Sequence, residues 1–490
     1  MLYNKESIVK YFNYLNFSRY EQFYSFSSLN NILFFLVFTS LAVVCFIFLI
    51  RHVLPSKINS TVGFENTFMM CVLLISTVLL VFSVTESSNI FMCAWFTNNF
   101  MANKIFLVLF LLTVPATFTL LVRQEQVTTV FVGVNFLFLL LIVFFLINTE
   151  SLIGMVMGYE LVFLPSFLVM RKTVYSASAQ SAYSVFTVWS VLGSLIVVGA
   201  SVYLVVRTGE HSFFDIKLAL QGWSDNELFA LSLLFFIGFG VKIPIWPFHY
   251  WLTRVHVESS TGFSIFLSGF LVKAAVFVCW KVVASLGMVT AHPLFVLLCL
   301  FSVLDGALKL TTQTDVKKMV AFATVFEMGL IYLFLLWRPG QSYTYIFTFC
   351  YAHAFLSGLM FYLVDLVYTR TKTRSIDMLS GLVVYFPNLI KVVWLMLFIF
   401  WGLPFTVKFS IELWVLINFV KTGSLFLFAL IIFILAFANI FVTKTWVHIA
   451  YGCPTKKNLA YDLNTWESLF AGYLIFFSTI PAVVFTNLEL

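Results

Sequence analysis

Residues 237–274 read IGFGVKIPIWPFHYWLTRVHVESSTGFSIFLSGFLVKA. Lys242 lies inside an apolar helical run and is followed at once by Pro244 and Pro247. His249 and His256 come next at helical spacing, and Lys273 lies in the following apolar run. A charged side chain in hydrocarbon costs about 2.5–3.5 kcal/mol even on the lenient insertion scales, and nothing in a passive anchor offsets that. A proline inside a spanning helix frees a backbone carbonyl. That is tolerated only where protein or a water-filled cavity satisfies it. A lysine beside a broken helix is therefore the mark of an ion or proton path. The competing reading is a lysine that snorkels from a helix end. The recurrence of such lysines at 242, 273, 309 and 408 argues against it.

The bulk composition sets the environment. The 490 residues are 61% hydrophobic and only 10% charged, against about 25% charged in soluble domains. The chain belongs in a membrane. Its net charge of +7 is no nucleic-acid signal, because the basic residues sit in short loops. Lipids and protons are the expected partners, and nucleic acid is not. The seven cysteines are scattered without a C-x-x-C pair, so neither a metal site nor a disulfide framework is expected. Gly238-Phe239-Gly240 lacks the third glycine of a dinucleotide fingerprint, and no Walker A or H-E-x-x-H motif occurs. The polar, aromatic N-terminal stretch mixes acidic with basic residues and has no h-region, so no signal or transit peptide is expected. The 61 phenylalanines fit an AT-rich organellar genome.

A spanning helix needs about 20 apolar residues. That rule predicts fourteen segments, near 31–50, 66–84, 103–122, 127–147, 151–170, 181–206, 228–250, 260–283, 293–312, 317–337, 342–368, 385–419, 423–443 and 465–486. The expected class is an all-α polytopic membrane protein. The twelfth segment is too long for one crossing and holds Gly402-Leu403-Pro404, so it reads as a second broken helix. FGVKIPIWP in the seventh segment and WGLPFTVKFSIE in the twelfth are both interrupted and charged at the break. Paired broken helices five segments apart point to an antiporter-like fold of two inverted five-helix repeats. The expected domain plan is a polar extension 1–30, three helices over 31–122, halves at 127–283 and 293–443, and a final helix within 465–490.

Loop charges orient the chain. Loops after odd-numbered segments hold Arg51, Lys57, Arg123, Arg171, Lys172, Arg254, Lys317, Lys318, Arg370, Lys372, Arg374, Lys444, Lys456 and Lys457, fourteen in all. Loops after even-numbered segments hold Lys104, Arg207, Lys217, Lys281, Arg338 and Lys421, six in all. The odd loops are expected to face the negative compartment, with both termini on the positive side.

Charge recurs inside the spans at about one group per helix. Glu160 lies in the fifth segment, Lys242 in the seventh, Lys273 in the eighth, Asp305 and Lys309 in the ninth, Glu327 in the tenth and His353 in the eleventh. Lys408 and Glu412 follow in the twelfth. Asp305/Lys309 and Lys408/Glu412 are spaced i,i+4 and share a helix face. Such residues face the bundle interior and pair with one another. A carboxylate that approaches or leaves a desolvated lysine changes how firmly the lysine holds its proton. The plainer alternative is a set of static ion pairs that only hold helices together. Glu160, Lys242, Lys273, His353 and Glu412 are the primary proton-transfer candidates. His249, His256, Asp305, Lys309, Glu327 and Lys408 are secondary.

These residues sit in recognisable company. GYELVFLPSFLVMRK at 158–172, VKIPIWPFHYWLTRVHVESS at 241–260, LVKA at 271–274, QTDVKKMVAFATVFEMG at 313–329, HAFLSGLMF at 353–361 and GLPFTVKFSIE at 402–412 resemble the motifs of the antiporter-like membrane subunits of respiratory complex I. Glu412 and the chain length make the resemblance strongest to the subunit 4 group. The resemblance departs in places: Ser259-Ser260 stands where the family has Ala-Pro, Glu327 where it has histidine, and Lys408 where it has asparagine. It implies a proton-translocating subunit of the mitochondrial inner membrane, working beside other antiporter-like subunits. No cofactor is implied on this chain, since NADH, FMN, iron–sulfur clusters and ubiquinone would belong to the assembled complex. A cation/proton antiporter subunit of the same superfamily, or a non-pumping structural module, is the alternative.

Overall fold

The computed structural model describes residues 96–124, 129–173, 176–287, 292–337, 343–421, 424–453 and 461–479. The first two predicted segments and the N-terminal extension lie outside them. The described residues form α1 (Phe96–Gln124), α2 (Thr129–Asn148), α3 (Leu152–Lys172), α4 (Ala177–Thr208), α5 (Phe213–Leu220), α6 (Asp225–Lys242) and α7 (Tyr250–Glu258). Then come α8 (Thr261–Leu286), α9 (Pro293–Leu310), α10 (Val316–Trp337), α11 (Tyr343–Thr371), α12 (Pro387–Phe400), α13 (Val407–Lys421), α14 (Leu425–Tyr451) and α15 (Thr465–Thr479). The predicted segments from 103–122 onward each fall on one of these helices, or on the pairs α6–α7 and α12–α13. Eight of the described helices are long and apolar enough to cross a membrane by length and composition. The short α5 lies between the predicted segments 181–206 and 228–250, where hydropathy predicts no spanning helix.

Burial sorts the helices. The most apolar windows of α8, α10 and α11 are wholly enclosed by other helices, whereas that of α14 is only 22% buried. α14 turns Phe426, Phe433 and Ile440 outward, as suits a helix facing lipid or a neighbouring subunit. The enclosed helices are the ones that carry Lys273, Glu327 and His353. Charge therefore sits where protein, not hydrocarbon, surrounds it.

Both predicted breaks are present, and each follows from a missing N–H. Pro244 cannot donate to Gly240 O, so Ile245 N donates to it instead, at 3.0 Å. That leaves Val241 O to the Trp251 indole N–H, at 2.7 Å. α6 thus stops at Lys242, and α7 restarts at Tyr250. In the second break Pro404 cannot donate to Phe400 O, and the Lys408 ammonium donates to it at 2.8 Å. A third irregularity is a π-turn over Leu267–Leu271 within α8. The Ser268 carbonyl there accepts from Lys273 Nζ.

Connections alternate between two faces. Arg374 donates to Val257 O at 2.8 Å, Asp315 bridges Ser375, and Arg370 reaches Asp462 O at 3.2 Å and Glu467 at 2.5 Å. The loops after the seventh, ninth, eleventh and thirteenth predicted segments thus share one face. On the other, Ser151 bridges Ser212, and Lys281 donates to Leu146 O, Ile147 O and Thr149 O at 3.0, 3.1 and 3.0 Å. Lys281, counted above with the loop charges, is in fact buried within α8. It caps the carbonyl end of α2.

Candidate functional site

The charged residues fall into three clusters. In the first, Lys242 Nζ lies 2.6 Å from Glu160 Oε1 and 2.7 Å from Ser194 Oγ. Ser194 Oγ in turn donates to Glu160 Oε2. The ammonium also faces the rings of Tyr159 and Phe163, at 4.5 and 4.3 Å. α3 supplies the carboxylate and the rings, α4 the serine, and the end of α6 the lysine. The Lys242 side chain is 1% exposed and that of Glu160 is 22% exposed. Glu160 therefore forms the open edge of the cluster. A cavity of about 220 Å³ adjoins it, lined by Phe163, Phe167, Ser190 and Ser194 among others.

The second cluster is a chain of five groups. Lys273 Nζ contacts His353 Nδ1. The other ring nitrogen, His353 Nε2, faces Glu327 Oε2 at 3.9 Å. Glu327 Oε1 accepts from Lys408 Nζ at 2.7 Å. Lys408 Nζ stands 3.6 Å from Glu412 Oε1, one helical turn on. His353 and Glu327 are each 2% exposed, Lys408 is 3% and Glu412 is 17%. The sequence runs from Lys273 on α8, through α11 and α10, to two residues on α13. Its outer end is again a carboxylate. Lys408 also lies 4.2 Å from the Phe400 ring.

The third cluster lies at the break that opens α7. His249 Nε2 is 3.2 Å from Asp305 Oδ2 and 3.1 Å from Lys309 Nζ, and Lys309 Nζ is 2.7 Å from Asp305 Oδ2. The i,i+4 spacing of Asp305 and Lys309 puts them on one face of α9. That His249 completes the group is a long-range fact the spacing does not contain. His256 joins none of the three. It is fully buried against the Phe361 ring at 4.6 Å, and among the described residues neither ring nitrogen has a hydrogen-bond partner.

Of the primary candidates, Glu160 and Lys242 are brought together, and Lys273, His353 and Glu412 fall on one line. Among the described residues no polar contact joins Lys242 to Lys273, so the two groups stand as separate clusters. Glu327 and Lys408 occupy the centre of the second. Ser194 had no sequence signal, being one of several serines along α4.

The chain matches the family described as NADH:quinone oxidoreductase/Mrp antiporter, TM, over residues 149–480. It is 36% identical over 342 residues to the NADH-ubiquinone oxidoreductase chain 4 of Paramecium tetraurelia, which covers 68% of this chain and 72% of that relative. Its fold is similar to a chain in the Mrp complex from Dietzia sp. DQ12-45-1b, with a TM-score of 0.70 at 18% identity over 89% of this chain and 82% of that one. It is similar as well to a chain of respiratory complex I from Thermus thermophilus, with a TM-score of 0.64 at 23% identity over 78% of this chain and 81% of that one. The match covers both helix breaks and all three charged clusters, and on it this chain belongs to the NADH:quinone oxidoreductase/Mrp antiporter transmembrane family, with NADH-ubiquinone oxidoreductase chain 4 among its curated relatives.

Proposed function

We propose that this chain is a proton-translocating membrane subunit of respiratory complex I in the mitochondrial inner membrane. It would couple NADH:ubiquinone electron transfer in other subunits to proton movement through its own buried Glu, Lys and His residues. NADH, FMN, the iron–sulfur clusters and ubiquinone are then held by partner chains, and the neighbours are other antiporter-like membrane subunits. The observation that carries this reading is the Lys242–Glu160 pair at a helix break, with the serine hydroxyl of Ser194 bridging it. Unit charges about 4 Å apart interact by about 4 kcal/mol at an effective dielectric near 20. Protonating Glu160 or moving it away removes attraction of that order from Lys242. The lysine then releases its proton, and the returning carboxylate reloads it.

The test uses the assembled complex in proteoliposomes. Glu160→Gln and Lys242→Met are expected to slow proton uptake coupled to NADH oxidation on the order of 10²-fold, a loss typical of removing a positioned proton carrier. Assembly on native gels should persist. Unchanged pumping in either variant would overturn the reading. Purification of the wild-type chain without a flavin and iron–sulfur assembly would favour the antiporter alternative.

A further inference from the structure

Glu327 and Lys408 repeat the construction of Glu160 and Lys242. In each pair an intact helix supplies the carboxylate, and the lysine flanks a break made by proline. The ion-pair distances are 2.6 and 2.7 Å. Each lysine has a second hydrogen-bond acceptor, Ser194 Oγ in one case and Phe400 O in the other. Each also faces an aromatic ring, at 4.3 Å from Phe163 and 4.2 Å from Phe400. The second pair differs in being closed in on both sides. Among the described residues Glu327 Oε2 has no hydrogen-bond partner, and it faces His353 Nε2, while Lys408 faces Glu412. A static ion pair has no need of a free carboxylate oxygen aimed at a histidine.

We propose that Glu327–Lys408 is a second proton-loading pair, which passes protons between His353 and Glu412. This rests on the proton-translocating reading above. A protonated His353 gives its Nε2 proton to Glu327 Oε2 once the 3.9 Å gap closes. Glu327 is now neutral and no longer holds the Lys408 ammonium. Lys408 gives a proton to the Glu412 carboxylate and is left as the neutral amine. That amine takes the proton from Glu327, which restores the ion pair. One proton has then moved from His353 to Glu412, and no net charge is left on the pair. The Phe400 carbonyl keeps Lys408 in place during the step that frees it from Glu327.

The test compares variants of the assembled complex in proteoliposomes, with proton uptake per NADH oxidised as the readout. Glu327→Gln and Lys408→Met are each expected to slow coupled proton uptake on the order of 10²-fold. The decisive variant is the double substitution Glu327→Gln with Lys408→Gln. It keeps an amide hydrogen bond possible and leaves no unpaired buried charge, so it carries the test even if the single variants do not assemble. If the pair only fastens α10 to α13, the double variant restores pumping. That result would overturn the proposal. If the pair carries protons, the double variant assembles and still fails to pump. Lys242→Met is run in parallel. Its full activity would sink the underlying reading, and with it this one. Impaired Lys242→Met beside a fully active Glu327→Gln/Lys408→Gln would overturn only the second pair.

Discussion

His353 Nε2 faces Glu327 Oε2 across 3.9 Å, and both side chains are almost completely buried. The gap is wider than a hydrogen bond. On the other side of the ring, Nδ1 already contacts Lys273. The imidazole is therefore the one group that touches both halves of the second cluster. Each ring nitrogen can carry or accept a proton, which is what lets an imidazole relay between two neighbours.

Replacing that ring should separate the halves without emptying either. His353→Phe keeps the volume of the ring and leaves the Glu327–Lys408 pair untouched. Coupled NADH oxidation and proton uptake are expected to fall on the order of 10²-fold, with assembly on native gels preserved. Normal proton uptake in that variant would remove His353 from the path.

The second break makes a steric prediction. Gly402 has φ 64°, a region that non-glycine residues rarely enter. A Cβ there would lie 2.7 Å from Glu412 Oε2. Gly402→Ala should therefore cost about 1–3 kcal/mol of backbone strain and push the Glu412 carboxylate aside. A lowered thermal midpoint in detergent, together with slowed pumping, is the expected pair of outcomes. Retention of both would mean that Glu412 has room to move without consequence.

Both breaks were legible because proline announces them: Pro244 and Pro404 each remove a definite N–H from a definite carbonyl. The π-turn at Leu267–Leu271 was not legible. LSGFL contains no proline, and the extra residue shows only in the backbone. The charged residues were legible one by one, since each stands out in an apolar run. Their partners were not. Lys242 meets Glu160 across 82 residues of sequence and Ser194 across 48. Lys408 meets Glu327 across 81. No local spacing encodes such meetings, whereas Asp305 and Lys309 could be paired on paper because one helical turn joins them. Lys281 misled for the opposite reason. It lies inside the predicted 260–283 segment but close to its end, where its charge groups it with the loop cations, although the helix runs on to Leu286.

Lys281 should be structural, and this sets it apart from the other buried lysines. Its ammonium takes up three carbonyls at the end of α2. Among the described residues no carboxylate lies within hydrogen-bond range of it. Lys281→Met removes the donor from those carbonyls. At about 1–3 kcal/mol for each unsatisfied buried group, less what relaxation recovers, a loss of about 3 kcal/mol is expected. The thermal midpoint should fall, while protons moved per NADH oxidised stay unchanged in the fraction that assembles. A pumping defect with normal thermal stability would place Lys281 on a proton path instead.

The last prediction concerns which way the chain faces. Val257, Asp315, Ser375 and Asp462 meet on one face, through Arg374 and Arg370. These connections are the ones rich in Lys and Arg. Positive loops stay on the negative side of the membrane because moving cations against the potential during insertion is unfavourable. That face should therefore be the negative side of the membrane. The opposite face carries Glu210 and the Ser151–Ser212 bridge. Asp377 and Glu210 are both exposed, so Asp377→Cys and Glu210→Cys report on the two faces. The background would have Cys453, Cys45, Cys71 and Cys93 replaced. The remaining cysteines, 279, 299 and 350, are buried. A membrane-impermeant maleimide should label Asp377→Cys only in inverted vesicles, and Glu210→Cys only in right-side-out ones. The reverse pattern would invert the assignment.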